Sequence, residues 1–349
     1  SRRKPEDDLM AFRLAELTRA RVALLPQVPN QPLFGGKKED DLITETFLRY
    51  LESHDGSWPL LFPMVKSAVR AMDTVQSFVK NERAQEVKSF VVTGASKRGW
   101  TTWLTGASDG RVLAIAPMVI DTLNMKAQMK HAKETWGRMS EQIDDYTSKG
   151  LTEQFESEWG KQLWQMVDPY TYRDQLSLPK LIINGTNDRY WTQDALNIYW
   201  DDLVGPKSVV YVPNAGHSLN PNREYAIHGI SALFRHAVKK EPFPELRWEH
   251  SDSADDHLKL TVEVKPAPKS AKLWVARTDT NDFRDSKWDA QGMTITPALV
   301  TGEIHRPKSG NLALFGDLEY EVDGFAYHLS TQIRVVRTPK AAAEEARRN

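Results

Sequence analysis

Three side chains with the chemistry of nucleophilic catalysis stand at matching places in this chain. Ser96 lies in Thr-Gly-Ala-Ser-Lys-Arg-Gly-Trp, residues 93–100. A short β-branched run feeds the Gly-x-Ser turn, and a helix-like stretch with Trp100, Trp103 and Leu104 on one side follows. Strand, sharp turn with serine at its apex, then helix is how a nucleophile elbow is written. The usual pattern is Gly-x-Ser-x-Gly; here Arg98 stands two places after the serine and the glycine is delayed to Gly99. Taken alone, the motif reads equally as a strand-to-helix turn with an N-capping serine.

Two more segments change that balance. Residues 179–185 read as a buried parallel strand with Asp188 just beyond its carboxyl end, and residues 208–213 as another with His217 just beyond. Functional side chains of open α/β sheets collect there. The order Ser, Asp, His along the chain is that of α/β-hydrolases, and differs from chymotrypsin-like and subtilisin-like proteases. In such a triad His217 takes the Ser96 proton, Ser96 attacks a carbonyl carbon, and Asp188 fixes the imidazole tautomer. The backbone N–H of Lys97, next after the nucleophile, is the oxyanion donor. Asp194, with N-capping as its competing role, and Asp121, at the end of the preceding strand, are alternative acids. Arg98 is a candidate clamp for a substrate carboxylate, against a salt bridge that pins the elbow; Trp191 is a second candidate substrate contact. Lys97 is expected to point into solvent, and Trp100 to pack its helix on the sheet.

Beyond these residues, the stretches Gln-Val-Pro-Asn-Gln-Pro-Leu at 27–33, Pro-Met-Val-Lys-Ser-Ala-Val-Arg-Ala-Met-Asp at 63–73, Gly-Ala-Ser-Lys-Arg-Gly-Trp at 94–100 and Asp-Thr-Leu-Asn at 121–124 resemble the PhoPQ-activated pathogenicity-related proteins. That family takes in the secreted autocrine proliferation repressors of amoebae. The similarity runs over essentially the whole chain. It implies an α/β-hydrolase-like domain with a β-rich C-terminal appendage, and a secreted or periplasmic location. It implies no defined substrate. A weaker, local similarity to glucuronoyl esterases lies at the elbow, where an arginine also follows the serine closely.

The elements that must position these residues follow from periodicity. A helix spans residues 5–19, a short buried strand 22–25, and a turn forms at Gly35 and Gly36. A helix begins at Asp40 with Leu42, Ile43, Phe47 and Leu51 on one face, and another runs from Pro63 through Asn81. A strand at 112–120 and a largely helical insertion from about 123 to 174, rich in Met and aromatic residues, precede the strand at 180–184. Hydrolases place lids and pocket walls at such an insertion, although aromatics at this spacing more often fill a core. By analogy with the fold, these strands answer to the fourth through eighth of an α/β-hydrolase. The expectation is a fragment or processed form lacking roughly the first three strands, and with them the loop that gives the second oxyanion N–H.

After Pro242, Phe243 and Pro244 helical patterns give way to alternating runs at 258–264, 272–276 and 331–336. The expected organisation is an α/β-hydrolase-like domain over 1–240, a β-sandwich over 245–338 and a flexible tail over 339–349. The composition, 40% hydrophobic and 27% charged in 349 residues, is globular, and a net charge of −1 gives no reason to expect nucleic acid as a partner. No run is apolar enough to cross a membrane, no stretch reads as a signal peptide, and with no cysteine there is neither disulfide nor thiolate chemistry. Glu39, Asp40 and Asp41 read as a solvated helix start and not as a metal site, and no cofactor is expected. His131, His228 and His236 receive no role. The leading function is a serine hydrolase acting on a carboxylic ester or related acyl compound, with a serine peptidase second. The alternative of a different class is a secreted signalling or binding protein, with an extracellular protein partner, on a non-catalytic hydrolase fold.

Overall fold

The computed structural model describes residues 5–252 and 256–337. Three helices come first: α1 (Pro5–Thr18), α2 (Glu39–Ser53) and α3 (Leu61–Arg83). A parallel unit follows, with β1 (Phe90–Ala95), α4 (Lys97–Ser108) and β2 (Val112–Met118). The insertion holds α5 (Met125–Trp136), α6 (Asp144–Thr147) and α7 (Glu158–Val167) among short 3-10 turns. Then come β3 (Lys180–Gly185), β4 (Lys207–Val212) and α8 (Glu224–Lys239). The rest of the described chain is antiparallel: β5 (Glu245–Asp252), β6 (His257–Lys265), β7 (Ser270–Thr278), β8 (Trp288–Gly292), β9 (Thr294–Ile295), β10 (Leu299–His305), β11 (Asn311–Val322), β12 (Phe325–Ser330) and β13 (Arg334–Arg337).

β1, β2, β3 and β4 lie side by side in parallel, the α/β-hydrolase arrangement expected from the sequence. The buried Val, Ile and Leu of β2, β3 and β4 have a simple cause, since helices cover both faces of a parallel sheet; β1, at the edge, is half-buried. α2, α3, α4 and the insertion supply one core, with Phe47, Trp103, Ile115 and Ile182. α1, α8 and the second sheet supply the other, with Leu14, Ile230, Leu181 and Val210.

The antiparallel strands form two stacked sheets. One, β5-β6-β10-β9, turns Leu258, Leu260 and Val262 inward against Leu273, Val275 and Leu314 of the other. That other sheet continues the parallel one. The single bridge Val209↔Ser330 and a hydrogen bond from Tyr211 N to Ser330 Oγ (3.0 Å) join β4 to β12, and the order runs on through β11, β7 and β8.

The structure corrects the sequence reading in two elements. Residues 22–25 are not a buried strand: they have no regular structure, and Val22, Leu24 and Leu25 are 37%, 38% and 43% exposed. A strand exists through its ladder, and among the described residues none lies beside the outer edge of β1. Residues 331–333 likewise stand outside the ladder, and β13 starts at Arg334. The tail expected over 339–349 lies outside the described residues.

Candidate active site

β1 ends at Ala95 and α4 begins at Lys97, so Ser96 makes the corner. Its backbone sits at φ 56°, ψ −127°, a region that costs an L-residue about 1–3 kcal/mol. Neighbours on both sides hold it there. Ser96 N donates to Met118 O of β2 and Ser96 O accepts from Trp100 N, both at 2.9 Å. The serine side chain makes no capping bond, which sets aside the N-cap reading. The corner tolerates no added bulk: a Cβ on Gly94 would stand 2.6 Å from Arg98 O, and one on Gly99 2.8 Å from Met118 O. Gly99 therefore lets α4 close on the end of β2, and the place two residues after the serine is left to a long side chain.

That side chain is spoken for. Arg98 Nη1 and Nη2 donate to the two carboxylate oxygens of Glu39 at 2.6 and 3.0 Å, and Nε to Val28 O at 2.6 Å. The fork a substrate carboxylate would need is already filled, so Arg98 pins the elbow to the start of α2. Lys97 does not point into solvent. It is 7% exposed, with Nζ 2.9 Å from Glu39 and 3.4 Å from Asp40. Asp40 also accepts from Tyr146 Oη (3.0 Å), and Asp41 pairs with Lys37 and Lys149. The acidic first turn of α2 is thus an ion-paired clasp, not a solvated helix start, because two cations of the elbow reach it across the fold. Burial by itself would raise the Glu39 carboxyl; the hydrogen bond from Arg98 and the charge of Lys97 outweigh it and hold the group well below the usual carboxylate range. Gln31 closes the clasp by accepting from Glu39 N at 2.8 Å. Trp100 shares a buried cluster with Ile115 and Ile182 of the sheet; its Nε1 also donates to Val167 O (2.6 Å) and its ring meets Phe47 edge-on, tying α4 to the insertion and α2.

Asp188 and His217 meet. His217 Nδ1 donates to Asp188 Oδ2 at 2.8 Å, and Asp188 Oδ1 accepts from Tyr190 N at 3.0 Å. An ionised carboxylate only accepts, so the proton sits on Nδ1 and Nε2 keeps a lone pair. The two loops approach closely because Gly185 has no side chain: a Cβ there would stand 2.3 Å from Ala215 O. Tyr190 stacks on the His217 ring with centroids 4.1 Å apart. Among the described residues no hydrogen bond joins His217 to Ser96.

Both alternative acids have other partners. Asp194 accepts from His131 Nε2 at 2.8 Å and makes no side-chain cap for the turn it precedes. Asp121 is buried and accepts from Tyr199 Oη; burial pushes its carboxyl up to about 7, which spoils it as a fixed negative partner for a histidine. His131, given no role by the sequence, is therefore a structural partner. The signal was hidden, since its acid lies 63 residues away in the chain.

Ser96 lies in the lining of a cleft of about 590 Å³, open mouth included. Met125, Met129, Phe155 and Trp164 of the insertion form much of its apolar wall, and Asp40, Lys97, Tyr146, Tyr190 and Trp191 also line it. The insertion is thus part wall and part core. Its start is fixed by the buried Asp168, which accepts from Met125 N at 2.7 Å and Asn124 N at 3.3 Å. Trp191 borders both this cleft and a small polar pocket containing Asp188, Asp121 and Asn184. Its Nε1 has no hydrogen-bond partner among the described residues. Among those residues there is also no cluster of groups suited to a metal ion, and no helix is long and apolar enough to cross a membrane.

A family model for PhoPQ-activated pathogenicity-related proteins matches residues 2–284. Autocrine proliferation repressor protein A of Dictyostelium discoideum is 32% identical over 324 residues, which are 85% of this chain and 65% of that protein. The chain therefore spans less than two thirds of that relative. Among solved structures, Est1E from Butyrivibrio proteoclasticus matches 51% of this chain and 71% of its own, at 14% identity and a TM-score of 0.36. The acetyl xylan esterase from Paenibacillus sp. R4 matches 58% of each chain, at 15% identity and a TM-score of 0.42. At those scores neither bears on the site.

Proposed function

This chain belongs to the PhoPQ-activated pathogenicity-related protein family, and on that premise we propose that it is a serine hydrolase of carboxylic esters or related acyl compounds. The observation that carries the reading is Ser96 held at φ 56° beside an apolar cleft, with the Asp188–His217 pair formed and Tyr190 shared between them. His217 Nε2 takes the Ser96 proton as Oγ attacks the acyl carbon. The tetrahedral oxyanion meets the N–H of Lys97, the first residue of α4, where helix N–H groups have no intrahelical partner and the dipole favours negative charge. Collapse expels the alcohol, protonated by His217. Water then repeats the sequence and frees the acid. The wall of Met, Phe and Trp side chains suits an apolar acyl group, and the charges of Lys97 and Arg98 balance those of Glu39 and Asp40, which leaves no net charge to attract an ion.

An ester series of increasing acyl length, assayed with matched amides, tests this. Turnover that depends on Ser96 and favours apolar acyl groups is the expected result; preference for amides would make the protein a peptidase. One observation favours a second reading, namely that no hydrogen bond joins His217 to Ser96 among the described residues. On that reading the protein binds a partner outside the cell without turnover; the name of the Dictyostelium relative describes that protein as an autocrine repressor of proliferation. The family resemblance supports a secreted or periplasmic setting, and localisation of the full-length protein by fractionation tests that.

A further inference from the structure

A short segment of the antiparallel part of the molecule reaches the loops of the site. Residues 283–287 end the connection from β7 to β8, and with Trp288, the first residue of β8, they carry three side chains that are almost fully buried: Phe283, Arg284 and Trp288 are 1%, 4% and 1% exposed. Arg284 is locked by Asp282, by Glu141 of the insertion (2.9 Å) and by the Trp136 ring beneath its guanidinium (4.1 Å). Trp288 meets Phe315 of β11 edge-on. The segment is thus anchored in the core by these three side chains, while Asp285 and Lys287 are exposed.

Its backbone holds the two loops that carry the acid and the base. Asn187, immediately before Asp188, donates from Nδ2 to Arg284 O (3.1 Å) and Ser286 O (2.7 Å). Asn214, three residues before His217, donates from Nδ2 to Trp288 O (2.9 Å) and accepts from Trp288 N at Oδ1 (2.8 Å). The loops are also tied to each other: Asn187 N donates to Ala215 O (2.9 Å) and Asn214 N to Thr186 Oγ1 (2.8 Å). Arg189, on the other side of Asp188, pairs with Asp285 (2.7 Å) and with Glu141 (3.0 Å).

We propose that residues 283–288 are a clamp that sets the Asp188–His217 pair, with Asn187 and Asn214 as its positioning residues. Neither asparagine lines the cleft; each acts through the loop it fastens. An amide suits both jobs at Asn214, since it offers a donor and an acceptor on separate atoms to the carbonyl and the N–H of one residue. The clamp gives the antiparallel half a part in the chemistry, and that part rests on the hydrolase reading above.

Asn187→Ala and Asn214→Gly test it. Glycine suits the second site because Asn214 has φ 55°, where alanine would add strain. Two readouts are needed in the full chain: steady-state ester turnover, and the low-field proton resonance of His217 Nδ1–H, assigned by its loss in His217→Ala. With folding confirmed by circular dichroism, kcat is expected to fall about 10- to 100-fold with KM unchanged, and the resonance to broaden or vanish. The two sites are on separate loops, so a variant that fails to fold leaves the other to decide. A sharp, unshifted resonance in either folded variant overturns the clamp, whatever the turnover. Absence of Ser96-dependent turnover in the parent protein overturns the hydrolase reading instead, and the resonance still judges the clamp.

Discussion

Two histidine–carboxylate pairs in this molecule have the same 2.8 Å separation. His217–Asp188 joins loops beyond the carboxyl ends of β3 and β4. His131–Asp194 joins helix α5 of the insertion to the turn before Ala195. Distance does not separate them; position does. The first pair stacks on Tyr190, which lines the Ser96 cleft, and its loops are fastened from behind. The second ties the helix that carries Met125 and Met129 of the cleft wall to the core. A His–Asp bond is therefore evidence of catalysis only where a strand end presents it to a nucleophile.

The largest effect should come from exchanging the two acids. Asp188→Asn is expected to lower kcat by about 10³- to 10⁴-fold, because an asparagine no longer holds the imidazole tautomer. Asp194→Asn should change kcat by less than about 3-fold, since substitutions remote from the chemistry spare the barrier. Steady-state kinetics on one ester would measure both, and equal losses would erase the distinction. A smaller effect is expected from His131→Leu, which strips Asp194 of its partner. Denaturant unfolding should show a loss of about 1–2 kcal/mol, with KM changed more than kcat because the cleft wall moves.

The smallest effect is on pH. The hydrogen bond that His131 donates to Asp194, against the opposing pull of burial, raises the His131 pKa. A raised histidine stabilises fully below its unfolded value of about 6.5, and that contribution is lost as pH rises through the higher folded value. Burial pushes Asp194 up, but the His131 hydrogen bond and charge outweigh it and lower the carboxyl. Its contribution is present above the ordinary carboxylate range and is lost as pH falls through the depressed value. The anchor of α5 is thus strongest between about pH 4 and 6.5. Hydrogen exchange of α5 amides should slow in that window in the parent protein and show no such window in His131→Leu.

Much of this arrangement was legible in the sequence, for physical reasons. Ser96, Asp188 and His217 are announced by local grammar, since each follows an apolar, β-branched run by a few residues. The partners of Lys97 and Arg98 are not, because Glu39 lies 59 residues before Arg98 and only the folded α2 brings it to the elbow. For the same reason local sequence makes the acidic turn of α2 a solvated helix start and Asp194 a cap. Residues 22–25 carry a strand's composition, yet composition supplies no neighbour to pair with. The continuity of β4 with β12 hangs on one bridge, Val209↔Ser330, which leaves no periodicity to read.

The central claim is that Ser96 is an activated nucleophile, and covalent labelling by a fluorophosphonate with mass mapping of the adduct tests it most directly. The account predicts a phosphonyl adduct on Ser96 that is absent in Ser96→Ala and strongly slowed in His217→Ala. A folded protein that stays unlabelled, or labels equally well without Ser96, would contradict it.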